Sequence, residues 1–445
     1  MSVKKIVIAG LGSAGYAALM AVKRADPSGE ITVVDPKGSD LRHPCGMPYS
    51  LEGIVDPAHL ESDINLDRMN VNRVRAVLTG IDAQKKTILC SGEGKEHLLD
   101  YDALILCTGS RALLPPIKGV DCFFSRGLYT LADLDDLRHI RAAAETSKRA
   151  VVVGAGAIGM ETAYALRTQG KEVVLLEMKP QVLPGVLDPD LSSIAEKYLA
   201  DSGISLLKNR TAREITGREG FAGIMTDEGE ITADFGIIAA GFTPNCEAAF
   251  ASDISGDRRG ISVNERMETS QKDIFAAGDC IATWSVIDGQ SIPAKLATSA
   301  YKQGTVAGIN AAGGRAAYRG SSGTFVTRIG ELEIAGTGFT TEVAAGRGFE
   351  PVSGKIRSAV LPEYFPGNTD ISVKIIADRA SGRILGAQAI GQGAAARINI
   401  VSTAIEFNIS CADFDRIEMA YCPAVSEVYD PLLRAADFCM RRLKR

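Results

Sequence analysis

The chain has 445 residues, of which 49 are Lys or Arg and 54 are Asp or Glu, giving a formal net charge of -5. This length exceeds what one compact core accommodates, so two or three domains are expected. Because the basic residues form no long run, we expect neither nucleic acid nor an anionic membrane as a partner. The nine cysteines include no CxxC pair, which indicates no disulfide framework and no metal site and favours the cytoplasm.

Residues 3–35 have the pattern of a dinucleotide-binding unit: an apolar strand, a Gly-rich turn, a helix of small residues and a second strand closed by an acid. Gly10 allows the tight turn, Gly12 lets the backbone approach a pyrophosphate, and Gly15 lets helix and strand pack closely. The pyrophosphate is expected at the helix N-terminus, with Asp35 placed to bind ribose hydroxyls.

A single cysteine, Cys45, follows this unit in the stretch LRHPCGMPYSLEG, residues 41–53. A turn into a helix here would place its sulfur near a helix N-terminus, where thiolate is favoured over thiol. His43 is a candidate to lower the pKa of Cys45 further or to act as an acid. The alternative is that Cys45 is simply a small buried side chain, as free cysteines commonly are.

The dinucleotide pattern recurs at residues 150–177, with the same spacing of glycines and closing acid at Gly154, Gly156, Gly159 and Glu177. An acid in this position binds a free 2'-hydroxyl and repels a 2'-phosphate, which predicts NADH, although Lys171 and Lys179 leave NADPH open. Two such units in one chain are typical of enzymes in which a nicotinamide passes hydride to a flavin.

Two buried strands are expected to end at crossovers between domains. The first, within residues 100–114, ends at Thr108 and Gly109. The second, beginning at Ile237, ends at Ala240 and Gly241.

The stretch TSQKDIFAAGDC, residues 269–280, reads as a strand ending on Asp279. It resembles the second flavin motif of two-dinucleotide flavoproteins, in which the aspartate binds the ribityl chain of FAD. From Pro293 a helix is predicted whose N-terminus, near Ala297 and Thr298, would point at the flavin pyrimidine ring and stabilise the anionic reduced flavin.

From about Ser322 the sequence alternates between apolar and polar residues, which predicts an antiparallel sheet with helices in a separate domain. Two loops in this part, residues 361–368 and 419–433, each carry a tyrosine close to a proline: Tyr364 and Tyr421. Loops commonly hold functional side chains, but both tyrosines could equally serve ordinary packing.

Taken together, these features resemble the single-cysteine branch of the pyridine nucleotide-disulfide oxidoreductases, which contains coenzyme A disulfide reductases, NADH oxidases, and NAD(P)H-dependent sulfur, polysulfide and persulfide reductases. The resemblance spans essentially the whole chain. It rests on motifs in the family's order: GLGSAG, HPCGMPY, CTGS, GAGAIGMETA, AAGFTPN, IFAAGDC, and YFPG with AYCPAVSEVYDP. It implies an α/β fold with two doubly wound dinucleotide-binding domains, for FAD and NAD, plus a C-terminal α+β dimerisation domain.

The domain boundaries implied by the resemblance place the FAD domain at residues 1–112 and 244–321. The NAD(P)H domain is expected at residues 113–243, and the dimerisation domain at residues 322–445. The implied cofactors are FAD, NADH or NADPH, and coenzyme A as either substrate or bound cofactor.

The resemblance also implies roles for individual residues. Cys45 would be the redox-active sulfur above the flavin, Tyr421 a side chain that the partner of a homodimer contributes, and Tyr364 a second tyrosine near substrate. Glu161 would lie near the nicotinamide. Two residues would face the phosphates of coenzyme A: Lys23 and Arg24.

Two departures from the family's common pattern bear on function. Many members read SFxxC before the active cysteine, whereas this chain has Leu41-Arg42-His43-Pro44, which favours a sulfur or disulfide acceptor over oxygen. A frequent YAPP is replaced by Tyr-Cys-Pro-Ala, so Cys422 adjoins the intersubunit tyrosine. Cys422 is either a packing residue or a second thiol that approaches Cys45 of the partner and accepts or resolves a persulfide.

The predicted function is FAD-dependent, NAD(P)H-driven reduction of a disulfide, persulfide or polysulfide through Cys45, with coenzyme A derivatives favoured as substrates. An NADH oxidase that reduces oxygen at the flavin, with Cys45 cycling through sulfenic acid, is the alternative. A flavin redox sensor or electron-transfer module read by a protein partner is an alternative outside catalysis.

Overall fold

The structure, a computed structural model, describes residues 4–444. Residues 1–3 and 445, which belong to the first and last predicted domains, lie outside the described residues. The helices of residues 4–444, in chain order, are α1 Ser13–Ala25, α2 Met47–Glu52, α3 Val120–Phe123, α4 Leu134–Thr146, α5 Ala157–Thr168, α6 Pro189–Asp201, α7 Glu247–Phe250, α8 Ala297–Ala311, α9 Thr341–Gly346, α10 Ala394–Glu406, α11 Cys411–Phe414 and α12 Pro431–Leu443.

The first large sheet is parallel and draws its strands from two distant parts of the chain. Its strands, in spatial order, are Ile274–Ala276, Ala103–Leu106, Lys5–Ala9, Glu30–Val34 and Val71–Val74. The central strand is buried because helices cover the sheet, as is usual for parallel sheets. Helices α1 and α8 can approach closely because Gly304 and Gly308 of α8 have no side chain. A Cβ at either position would collide with a carbonyl oxygen of α1.

The second large sheet is also parallel and is formed by the segment between those two parts of the chain. Its strands, in spatial order, are Leu128–Thr130, Phe235–Ile238, Arg149–Val153, Glu172–Leu176 and Ser205–Leu207. Both parallel sheets therefore have the doubly wound form that the two Gly-rich patterns predict.

The two predicted crossovers pair with each other. Strand Ser110–Ala112 runs antiparallel to strand Phe242–Pro244. The preceding buried strands stop earlier than the sequence indicates, at Leu106 and Ile238, because the chain turns at Gly109 (φ +66°) and Gly241 (φ +109°). Each predicted long strand is thus two short ones. The second short strand of each, Ser110–Ala112 and Phe242–Pro244, pairs with the other and so joins the two parallel-sheet units.

Smaller antiparallel sheets lie beside the parallel ones. Two have three strands: Val77–Asp82, Thr87–Gly92 and Lys95–Asp100, and Ala212–Gly217, Phe221–Thr226 and Gly229–Thr232. Two more are short pairs: Leu41–Arg42 with Glu61–Ser62, and Gly256–Asp257 with Gly260–Ile261.

Across residues 4–444, no helix combines the length and the apolar character that crossing a membrane requires.

The C-terminal part forms the expected antiparallel sheet with helices. Its strands, in spatial order, are Phe325–Ile329, Leu332–Gly338, Ile384–Gly391, Asp370–Asp378 and Pro351–Ala359. Strand Ile384–Gly391 is buried along its whole length, with α10 and α12 among the helices that share its apolar core. The loops around Tyr364 and Tyr421 are irregular, as predicted, although the second ends at Asp430 because α12 begins at Pro431 and not after residue 433. The domain boundaries at residues 112, 243 and 321 stay predictions.

Candidate active site at the junction of the sheets

The first Gly-rich turn has the geometry of a phosphate cradle. Gly10 has φ +99°, and a Cβ on Gly15 would collide with the Gly10 carbonyl oxygen, so these two glycines shape the turn itself. A Cβ on Gly12, by contrast, would meet no protein atom within 4 Å. Gly12 therefore presents bare backbone at the N-terminus of α1, where the helix dipole favours an anion.

The second Gly-rich turn repeats this geometry. Gly154 has φ +104°, and a Cβ on Gly159 would collide with the Gly154 carbonyl oxygen, while a Cβ on Gly156 would again meet nothing within 4 Å. Gly156 and Gly241 line one apolar pocket at the carboxyl edge of the second sheet.

The two acids that close the units, Asp35 and Glu177, are buried beside their turns. Leu11 N–H donates to Asp35 Oδ2 at 2.6 Å, and Ala155 N–H donates to Glu177 Oε2 at 2.8 Å. The other carboxylate oxygens accept from the backbone N–H two residues on, of Lys37 at 2.9 Å and Lys179 at 2.8 Å. A carboxylate offers about four lone-pair positions, so each retains capacity for a ribose hydroxyl.

Asp279 lies at the carboxyl edge of the first sheet, after strand Ile274–Ala276. Its Oδ2 accepts a hydrogen bond from Ser110 Oγ at 2.9 Å, and its carbonyl oxygen accepts from Lys295 Nζ at 2.5 Å. Helix α8 begins at Ala297, and both Ala297 and Thr298 are exposed at its N-terminus, as the sequence predicts. The crossover residue Thr108 donates from Oγ1 to the Asn245 carbonyl oxygen at 2.6 Å, which ties the two crossovers together.

Cys45 lies in a short 3-10 helix, Pro44–Gly46, immediately before α2, and it is exposed. The expected lowering of its pKa is wrong for this arrangement. Although the residue is exposed, the surrounding protein partly desolvates its sulfur, and this desolvation raises the pKa of Cys45. The negative charges of Glu161 and Asp279 raise it further, while a backbone hydrogen bond opposes them. The six-residue helix α2 begins two residues after Cys45, and the expected effect of its N-terminus does not prevail at this thiol.

The side chain of His43 contacts the strand paired with its own. Its side chain is exposed, and its Nε2 lies 3.1 Å from Ser62 Oγ, on the paired strand. Its proposed role as an acid stays a prediction.

Glu161 lies in the second turn of α5 and faces the Cys45 loop. Its Oε1 accepts hydrogen bonds from Thr327 Oγ1 at 2.5 Å and from Tyr49 OH at 3.5 Å. Burial raises the pKa of Glu161 to about 7, and the two hydrogen bonds work against this rise. Glu161 is therefore a carboxyl that can hold or release a proton near neutral pH.

The structure brings the two predicted tyrosines together. Tyr364 OH and Tyr421 OH lie 3.4 Å apart in the same chain, and both rings are exposed. The hydrogen bond between the Tyr421 and Tyr364 hydroxyls contributes most to raising the pKa of Tyr421. Cys422, next to Tyr421, is also exposed. If Tyr421 reaches a partner's active site, Tyr364 must therefore go with it.

Lys23 and Arg24 lie in the last turn of α1, at the opposite end of the helix from the Gly-rich turn. Lys23 Nζ donates to the Asn70 carbonyl oxygen at 3.2 Å, and Arg24 is exposed. Within residues 4–444, no hydrogen bond or ion pair joins either residue to the Cys45 loop.

Sequence reasoning missed several side chains that the fold brings beside Glu161 and Asp279. Tyr49 lies inside the HPCGMPY motif, four residues after Cys45, and the motif was the signal that could have found it. Ser110 is likewise the last residue of the CTGS motif. Thr327 and Lys295 carry no local signal, because only the packing of distant segments places them beside Glu161 and Asp279.

The fold and this site define a class of oxidoreductase in which two dinucleotide-binding units flank one exposed thiol. The chain belongs to the pyridine nucleotide-disulphide oxidoreductase family: residues 4–304 match that family, and residues 325–432 match its dimerisation domain. Membership confirms the expected fold and an NAD(P)H-dependent oxidoreductase that uses FAD.

Relatives with different names align over nearly the full chain. The "NADH oxidase" of Methanocaldococcus jannaschii is 33% identical over 99% of both chains. The "NAD(P)H coenzyme A polysulfide/persulfide reductase" of Pyrococcus horikoshii is 32% identical over 97% of both. A structure of an NAD-dependent persulfide reductase from A. fulgidus superposes with TM-score 0.95 and 30% identity, covering 99% of this chain and 84% of that one.

The residues present fit FAD at the first unit and the nicotinamide dinucleotide at the second. The cradles at Gly12 and Gly156 are open where a Cβ would otherwise project, and each is flanked by a closing acid with acceptor capacity to spare. The Asp279 carboxylate lies at the carboxyl edge of the first sheet, where Ser110 Oγ donates to it at 2.9 Å.

Proposed function

We propose that this enzyme reduces a disulfide, persulfide or polysulfide through Cys45, with electrons from NAD(P)H. The observation that carries the proposal is the exposed Cys45 thiol just before α2. Its pKa is raised by the charges of Glu161 from the second unit and Asp279 from the first. An exposed thiol between the two dinucleotide sites can receive electrons from within the protein and meet a substrate from solvent.

FAD, when bound, supplies the path by which two electrons of NAD(P)H reach sulfur. The protein's own step begins with the Cys45 thiolate, whose Sγ attacks a substrate sulfur. A new S–S bond forms to one half of the substrate, while the original S–S bond breaks and the other half leaves as a thiolate that takes up a proton. Two electrons then cleave the mixed disulfide, which restores the Cys45 thiolate and releases the second half.

The hydroxyls of Tyr364 and Tyr421 are the proposed proton donors to the leaving sulfur. Their hydroxyls are paired across two loops of the dimerisation domain. The segment that follows Tyr421 carries other exposed apolar side chains, among them Val425 and Val428. Such a patch is typical of an interface, so we propose a homodimer in which this pair serves the partner's Cys45.

Coenzyme A derivatives are the proposed substrates. The curated relatives of Pyrococcus furiosus and Pyrococcus horikoshii have coenzyme A in their names and are 33% and 32% identical over 97% of this chain. In this proposal Lys23 and Arg24 contact the coenzyme A phosphates. Glu177 supports NADH over NADPH, because its buried carboxylate would repel a 2'-phosphate.

The test is Cys45→Ser, with Cys122→Ser, another exposed thiol, as the matched control. Cys45→Ser is expected to bind FAD and NADH normally but to lose reduction of coenzyme A disulfide, coenzyme A persulfide and polysulfide. Cys122→Ser should match the unmodified enzyme. Retained disulfide turnover in Cys45→Ser would rule out the proposed role.

Reduction of oxygen is the second candidate function, favoured by the names of some relatives. Besides the M. jannaschii protein, a water-forming NADH oxidase from Lactobacillus brevis superposes with TM-score 0.93 and 25% identity, covering 99% of both chains. Parallel anaerobic and aerobic assays with NADH separate the two functions. Useful turnover with oxygen alone would make this enzyme an oxidase, with Cys45 handling peroxide.

A further inference from the structure

The strand pair that joins the two parallel-sheet units is short. Strands Ser110–Ala112 and Phe242–Pro244 have three residues each. Pro244, which lies opposite Ser110, has no backbone N–H to donate across the pair. Because two short strands alone are at best marginally stable, further contacts are needed to fix one crossover against the other.

Asn245 follows this strand pair and bonds to the first crossover through every one of its polar groups. Its backbone N–H donates to the Gly109 carbonyl oxygen at 3.0 Å, and its carbonyl oxygen accepts from Thr108 Oγ1 at 2.6 Å. Its side chain donates from Nδ2 to the Thr108 carbonyl oxygen at 2.9 Å and accepts at Oδ1 from Arg111 Nη1 at 2.9 Å. This one residue therefore ties the second crossover to the turn of the first.

The paired crossovers contact both dinucleotide sites. Towards the first unit, Ser110 Oγ donates at 2.9 Å to Asp279, the residue predicted to bind the ribityl chain of FAD. Towards the second unit, Ala112 and Phe242 lie opposite each other and line the apolar pocket beside the second Gly-rich turn. The contacts with the two sites thus share one short strand, so a shift of that strand against its partner changes the separation of the sites.

We propose that Asn245 is a positioning residue for hydride transfer between the two bound cofactors. The chemistry that these cofactors supply is the transfer of one hydride, which carries two electrons and one proton, from NADH to FAD. The rate depends steeply on the separation of the two rings, and a misplacement of about 1 Å costs roughly 100-fold. Asn245 acts on this separation through its hydrogen bonds, which hold the two crossovers in one register.

This step comes before reduction of either a sulfur acceptor or oxygen, so the inference does not depend on the acceptor or on Cys45. The test mixes the FAD-containing enzyme anaerobically with NADH in a stopped-flow spectrophotometer. The dependence on NADH concentration gives the limiting rate of flavin reduction and the NADH dissociation constant separately. A second readout, which needs no turnover, is the long-wavelength charge-transfer absorbance of the reduced enzyme with NAD⁺, because this band requires the nicotinamide and flavin rings to be stacked.

Asn245→Ala removes both side-chain hydrogen bonds to the first crossover. The limiting rate of flavin reduction is expected to fall about 10- to 100-fold and the charge-transfer absorbance to weaken, while the NADH dissociation constant stays within about twofold. A merely structural role would instead weaken NADH binding or release FAD. Thr108→Val, which removes one donor to Asn245 and keeps the size of the side chain, should lower the limiting rate by a smaller factor.

Asn264→Ala is the matched control, since this asparagine also forms side-chain hydrogen bonds, but only within its own turn, with Arg266 and Glu268. It should leave the limiting rate and the charge-transfer absorbance unchanged. An unchanged rate and absorbance in Asn245→Ala, or an equal loss in Asn264→Ala, would overturn the proposal. If Asn245→Ala does not retain FAD, Thr108→Val decides, and a limiting rate equal to that of the unmodified enzyme then refutes the proposal.

Discussion

The open glycines of the two Gly-rich turns make a prediction that separates the two dinucleotide sites. A methyl group at Gly12 or at Gly156 meets no protein atom within 4 Å, and neither residue has a positive φ. Alanine at either position should therefore leave the protein folded, with only the loss of about 0.5–1 kcal/mol expected for replacing Gly by Ala at a helix N-cap.

Each added methyl group should instead weaken binding of the dinucleotide. A pyrophosphate packed on bare backbone would have to move aside, and overpacking of this kind costs about 1–3 kcal/mol. That loss corresponds to a roughly 5- to 150-fold weaker Kd. Gly12→Ala is expected to lose FAD during purification or titration, while Gly156→Ala should keep FAD and bind NADH more weakly by that factor.

The assay pairs flavin content, from absorbance, with the NADH concentration that gives half the maximal rate of anaerobic flavin reduction. Gly346→Ala, at the end of α9 and also facing open space, controls for the added methyl group itself. The reasoning would be refuted if Gly156→Ala bound NADH within twofold of the unmodified enzyme, or if both turn variants lost the same cofactor.

Two further predictions concern the C-terminal domain. Cys422→Ala should slow turnover of persulfides at least several-fold if this exposed thiol serves the partner's Cys45. Cys122→Ala, which removes another exposed thiol, should leave turnover unchanged. Full activity of Cys422→Ala with every disulfide and persulfide tested would remove Cys422 from the mechanism. Lys374→Met should destabilise the fold by about 3–5 kcal/mol in urea unfolding, because it leaves the buried Asp188 carboxylate, 2.6 Å from Lys374 Nζ, without its cation. Lys355→Met, which breaks a more exposed ion pair, should cost less than about 1 kcal/mol, and equal losses in the two variants would contradict this explanation.

Local sequence patterns predicted the elements that hold the nucleotides because each pattern is a direct requirement of the backbone. Gly15 and Gly159 must lack a Cβ for helix and strand to pack, and the structure places both against the carbonyl oxygen of the turn's first glycine. The alternation of the C-terminal segment likewise follows from a strand's two-residue period. Strand ends were less predictable, since Gly109 and Gly241 turn the chain where the apolar run continues.

The ionisation of Cys45 could not be predicted from its own stretch. Proximity to a helix N-terminus suggested an easily formed thiolate, but two carboxylates from distant segments raise the pKa of the thiol. Electrostatic interactions depend on distance in space, so Glu161 and Asp279 act on Cys45 although both lie more than 100 positions after it in the sequence.

The sequence by itself determined two dinucleotide folds, a lone thiol after the first of them, and a C-terminal antiparallel domain, because glycine spacing and apolar periodicity are local properties of a chain. Only the tertiary structure decided which side chains share the junction. It brought Tyr49 and Thr327 to Glu161, and it paired Tyr364 with Tyr421, because contacts between segments far apart in sequence exist only once the domains have packed against one another.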